Sequence, residues 1–111
     1  MSSSHVDIEA LEMLKEVMED EFQLLIDTFV QDSTDRLVTL REALASGDAD
    51  EVRRAAHSFK GSSSNIGAGP LSEICFALEE GGRTNQLDGL EQKLAEAEVE
   101  FEAVKVALAN L

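Results

Sequence analysis

A chain of 111 residues has room for one modest hydrophobic core, and 23 acidic residues against nine Lys and Arg give it a formal net charge of −14. So acidic a composition excludes the nucleic-acid backbone as a partner, because phosphate binding needs clustered cations, and it disfavours anionic membranes. Cys75 is the lone cysteine, so no internal disulfide can form.

Neither Trp nor Tyr occurs and proline occurs once, which favours helices over a many-turned β-sandwich. Residues 1–6, MSSSHV, read as a flexible tail that includes His5, and residues 7–111 as one helical domain. A short helix is predicted from about Asp7 to Met18, with Ile8, Leu11, Leu14 and Met18 along one side. A long helix follows from about Asp20 to Ala45. Its apolar positions Phe22, Leu25, Ile26, Phe29, Leu37, Leu40 and Leu44 keep a three-or-four spacing that Ser33 interrupts, and Gly47 supplies the stop.

Asp48, with Glu51 three residues on, is an Asp-x-x-Glu form of the capping box and opens a third helix that ends near Gly67. Gly69-Pro70 begins a fourth, whose stripe of Leu71, Ile74, Cys75 and Leu78 runs to a stop at Gly81-Gly82. The last helix, about Asp88 to Asn110, places Leu90, Leu94, Ala97, Phe101, Val104 and Leu108 at alternating steps of four and three. That seam suits packing in an antiparallel bundle. No strand pattern, internal repeat or linker is visible. The predicted fold is all-α: an antiparallel four-helix bundle with an additional short N-terminal helix. The N-terminus lacks a basic segment followed by an apolar run, and no stretch approaches the roughly 18 apolar residues of a membrane span. The expectation is a soluble, cytoplasmic protein.

The third helix carries an unusual run, AAHSFKGSSSNIGA at 55–68. At about 100° per residue, Val52, Ala55, Ala56, Phe59, Ser63 and Ile66 cluster opposite His57. His57 shares its own side with Arg53, Arg54, Lys60, Gly61 and Ser64, and so points away from the core. No acid lies between Arg53 and Ser72. Residues three and four away are the ones a helical side chain meets, and for His57 these are three cations and a glycine. Cations disfavour the imidazolium form and would stabilise an anion attached to the ring. Gly61 weakens its helix by about 1 kcal/mol relative to alanine. Either a partner must approach the backbone there, or two helices pack closely at that point.

Other chemistries fit less well. A helical metal pair needs a second ligand three or four residues from His57, where Arg, Lys and Gly stand. A hydrolase triad needs a positioned nucleophile and an orienting carboxylate, neither of which the sequence shows. No phosphate-binding Gly-x4-Gly-Lys-Ser/Thr loop occurs.

The stretch His57-Ser-Phe-Lys60-Gly61-Ser62-Ser63, followed by Asn65, Gly67-Ala68, Leu71, Cys75 and Leu78-Glu79, resembles the histidine-containing phosphotransfer (HPt) domain of bacterial two-component phosphorelays. The resemblance implies a monomeric bundle that accepts a phosphoryl group on one histidine from a receiver-domain aspartate and passes it to another. It implies no kinase or ATPase activity of its own. By position, His57 would be the acceptor through Nε2, Lys60 would pair with the phosphoryl oxygens, and Gly61 would admit the receiver's loops. Gln31 is the candidate polar neighbour from the preceding helix, while Arg53 and Arg54 are added on spacing alone. The implied partners are receiver domains of hybrid sensor kinases and response regulators. No cofactor is expected, magnesium belonging to the receiver. Leu14 or Val17 would extend the docking face. The alternatives are a helical adaptor that binds a signalling partner through the same face without being phosphorylated, and a degenerate metal-binding bundle.

Overall fold

A computed structural model of the protein describes residues 4–111 as five α-helices, with no strand among them. They are α1 (Ile8–Met18), α2 (Glu21–Ser46), α3 (Ala49–Asn65), α4 (Gly69–Arg83) and α5 (Leu90–Ala109). Each of α2 to α5 packs on its neighbour in the chain, and α5 closes back on α2. That is the up-down-up-down four-helix bundle expected, with α1 laid against α2 as the additional helix.

The local signals act as their chemistry requires. The Asp7 carboxylate caps α1 by accepting from Ala10 N–H, and Asp48 caps α3 by accepting from Glu51 N–H. Gly47 ends α2 in the left-handed region at φ 74°, so its backbone N–H can return to the carbonyls of Ala43 and Leu44. Phe101 of α5 is the centre of the core: Phe29 of α2 and Phe59 of α3 both meet its ring edge-to-face, at centroid separations of 6.1 and 6.2 Å. Phe59 is fully buried two residues from His57, so the packing that fixes α3 also fixes which face of it looks outward.

Three features differ from the sequence reading. Ser33 does not interrupt the apolar stripe; it lies in it, fully buried, and its hydroxyl lacks a hydrogen-bond partner. Helix α4 continues through Gly81-Gly82 to Arg83, because Gly82 packs against α3 instead of ending a helix. A Cβ on Gly82 would lie 2.6 Å from Arg53 N and 2.8 Å from Ala49 O. Close helix–helix packing is therefore real in this bundle, at Gly82 and not at Gly61.

The third difference is at the N-terminus. The predicted tail of residues 1–6 falls partly outside the described residues, but His5 and Val6 are docked. His5 Nδ1 lies 2.7 Å from Glu100 Oε2, and Val6 is buried in the core. The adjoining Asp7 N–H donates to the Gly67 carbonyl, tying the start of α1 to the α3–α4 turn.

Candidate functional site

The low-propensity run of α3 stays helical because it is gripped on both sides. Ser63 is fully buried, and Ser62 Oγ donates to the Phe59 carbonyl. Ser64 Oγ lies 2.7 Å from Ser72 Oγ of α4. Tertiary packing overrides weak local preference here, as it does in most globular helices.

On the outward face, the His57 side chain is 66% exposed. Its Nδ1 lies 2.8 Å from Glu79 Oε2 on α4. A carboxylate oxygen can only accept, so this hydrogen bond puts the proton on Nδ1. Nε2, on the far side of the ring, makes no hydrogen bond. Lys60 Nζ lies 2.7 Å from the other oxygen, Glu79 Oε1, and 5.3 Å from the centre of the Phe76 ring. Oε1 is closed off from solvent and meets the Lys60 ammonium as a close ion pair. Burial alone would push the Glu79 carboxyl up, but the donors Lys60 and His57 outweigh it and hold it below the ordinary carboxylate range. Glu79 is thus an ionised, largely buried clasp joining the imidazole to the ammonium.

Gly61, one turn further on, faces open space: a Cβ there would meet nothing within 4 Å. Next to His57 in the chain, Ser58 Oγ accepts from Arg36 Nε of α2 at 3.1 Å.

This geometry modifies the expected cationic ring. Arg53 and Arg54 do lie on the outer side of α3, but their guanidinium groups bond to Asp50 and Glu51 one turn back. The nearest charge to the imidazole is the Glu79 carboxylate, not a cation. Gln31 donates to Asp35 on its own helix, with no hydrogen bond to His57. Val17 is largely exposed on α1, and Leu14 is partly buried against the core. Among the described residues no cluster of three His, Cys, Asp or Glu could hold a metal ion, and no helix is long and apolar enough to cross a membrane.

The Hpt domain family model matches residues 24–110. The chain belongs to the Hpt domain family. Among solved structures, this Hpt chain is similar to histidine-containing phosphotransfer protein B of Pseudomonas aeruginosa PAO1. The TM-score is 0.92 at 45% identity, covering 98% of this chain and 95% of that one. It also resembles the maize histidine-containing phosphotransfer protein ZmHP2, with a TM-score of 0.85 over 96% of this chain and 88% of the other. At 23% identity that second likeness speaks for the fold alone. No curated protein sequence matches the chain. Family and fold together make this Hpt protein a phosphorelay intermediate.

Glu79 and Arg36 were not singled out in the sequence for their chemistry. Glu79 enters the sequence reading only as part of the Leu78-Glu79 stretch that resembles the HPt domain. Helical spacing on α3 carries no information about a group 22 residues away. Nothing in sequence marked Arg36.

Proposed function

We propose that His57 is the phosphoryl acceptor of this Hpt protein, taking the group from a receiver-domain aspartate and returning it to another. The Nε2 lone pair attacks phosphorus in line, the N–P bond forms, and the P–O bond breaks with its electron pair leaving on the aspartate carboxylate. No proton has to move. The ring keeps its Nδ1 proton and gains positive character as Nε2 bonds to phosphorus. Glu79 offsets that charge through the hydrogen bond it already makes. Lys60 holds the opposite sign beside the ring and has further N–H donors for the phosphoryl oxygens. Gly61 leaves the space through which the receiver's loops approach.

The chain needs no nucleotide in this scheme and carries no kinase activity. Magnesium acts in the receiver's pocket. Receiver domains of hybrid sensor kinases and response regulators are the partners, met by a monomer in the cytoplasm. Arg53 and Arg54 contribute only to the general charge of the face, and Gln31 has no part in transfer.

The supporting observation is an exposed imidazole whose Nδ1 is tied to a carboxylate and whose Nε2 is unoccupied by any hydrogen bond. Incubation with a phosphorylated receiver should place acid-labile label on the wild type and none on His57→Gln. Label persisting on that variant would overturn the assignment. Tight receiver binding without any label would favour the adaptor.

A further inference from the structure

Every arginine among the described residues other than Arg36 is neutralised by a carboxylate. Arg41 pairs with Glu98, Arg53 with Asp50, Arg54 with Glu51 and Arg83 with Glu80. Arg36 has no acidic partner, in a protein with 23 acids to choose from. Its one hydrogen bond runs through Nε to Ser58, the residue next to the acceptor histidine. With Nε engaged, the two terminal NH2 groups form a fork suited to two oxygens of one anion.

The placement is directional. About the α3 axis, Ser58 stands roughly 100° to one side of His57 and Lys60 roughly 60° to the other. Lys60 is clasped on the α4 flank by Glu79, and Arg36 reaches in from the α2 flank. Lys60 and the Ser58-bound Arg36 thus lie on opposite flanks of α3 with respect to His57. They differ in one respect: the charge of Lys60 is already met by a buried carboxylate, and that of Arg36 is not.

We infer that Arg36, braced by Ser58, is a second phosphoryl-binding cation, engaging the oxygens of the group carried on His57. The inference rests on the proposed role of His57. The transfer itself remains the exchange of an aspartyl P–O bond for an N–P bond, and Arg36 binds without gaining or losing a proton.

The test uses potassium phosphoramidate to phosphorylate the intact protein without a receiver, followed by phosphorus NMR across pH. A neighbouring cation favours the dianionic phosphoryl, so Arg36→Ala should raise the midpoint of its second ionisation by about 0.5–1 unit. Arg36→Lys should keep most of the wild-type midpoint, and Ser58→Ala should fall between. Single-turnover transfer to a saturating receiver should slow about 5- to 10-fold in Arg36→Ala, a loss in the rate constant and not in receiver affinity. An unmoved midpoint with normal labelling overturns the inference and leaves the acceptor assignment standing. So does a variant that loses only affinity for the receiver, since Arg36 would then touch the partner's protein surface. Failure of the wild type to label at His57 overturns the acceptor assignment itself, and the inference with it.

Discussion

Glu79 is held between opposing forces, burial that favours its neutral form and two donors that favour its charge, and the donors prevail. Its folded-state carboxyl is held below the ordinary value of 4.5, so the unfolded chain binds the proton more readily. The stability it contributes is therefore fully present above pH 4.5 and is lost as pH falls through the depressed folded value. Unfolding midpoints measured against pH should fall less steeply on the acid side in Glu79→Gln than in the wild type, by the share Glu79 contributes. The same pair of proteins tests chemistry. Glu79→Ala frees Nδ1 and lets the proton redistribute over both ring nitrogens, which nitrogen NMR of His57 reports directly. Transfer should drop by about 10-fold, in the range by which lost orienting partners weaken histidine ligands. Glu79→Gln keeps an acceptor for Nδ1–H and should lose less. Equal rates in all three proteins would show that the clasp is structural only. The Cys75 thiol is inert by the same physics: burial pushes it up to about 12, against a smaller opposing effect of the nearby Ser63 hydroxyl.

At the level of elements, the two glycines of interest make opposite predictions. Gly61 lies within α3 over open space, so Gly61→Ala should stabilise the bundle by about 1 kcal/mol through helix propensity alone. Gly82 lies against the α3 backbone, where a methyl group would overlap Arg53 N and Ala49 O. Gly82→Ala should cost about 1–3 kcal/mol, because backbone atoms cannot turn aside as a side chain can. Urea unfolding of the two variants decides the signs, and a larger residue at 61 should impair receiver docking while leaving stability intact. The contrast also marks what sequence could convey. Helical rotation placed His57, Lys60 and Gly61 on one outward face, because 100° per residue holds within a helix. It could not say that α4 would bring Glu79 to that face, or that Gly82 was a contact and not a terminus. Those depend on which helix packs where. The acid-free window from Arg53 to Ser72 suggested a ring of free cations, yet the acids that bind Arg53 and Arg54 sit just outside it, one turn upstream.

For the whole molecule, the formal charge of −14 is spread over a body of only 43 × 24 × 18 Å. Folding brings these like charges closer than the unfolded chain holds them, so net repulsion opposes the native state. Several of the ion pairs that offset it are short-range links within one helix, such as Arg83–Glu80, Lys93–Glu96 and Lys105–Glu102. Pairs of that kind contribute about 0.2–0.5 kcal/mol each. Salt weakens both effects, but unequally. The Debye length falls from about 30 Å at 0.01 M to about 10 Å at 0.1 M, a range that removes repulsion between distant carboxylates before it touches contacts under 4 Å. The melting temperature should therefore rise with sodium chloride across that interval, each kcal/mol gained appearing as about 4–8 °C for a domain near this size. The gain should shrink as pH is lowered toward the calculated isoelectric point near 4.3, where protonation removes the repulsion that salt would screen. Calorimetry over a grid of salt and pH measures both trends. A melting temperature that fell with salt at neutral pH would mean that the ion pairs, and not the excess of acids, govern the electrostatics of this bundle.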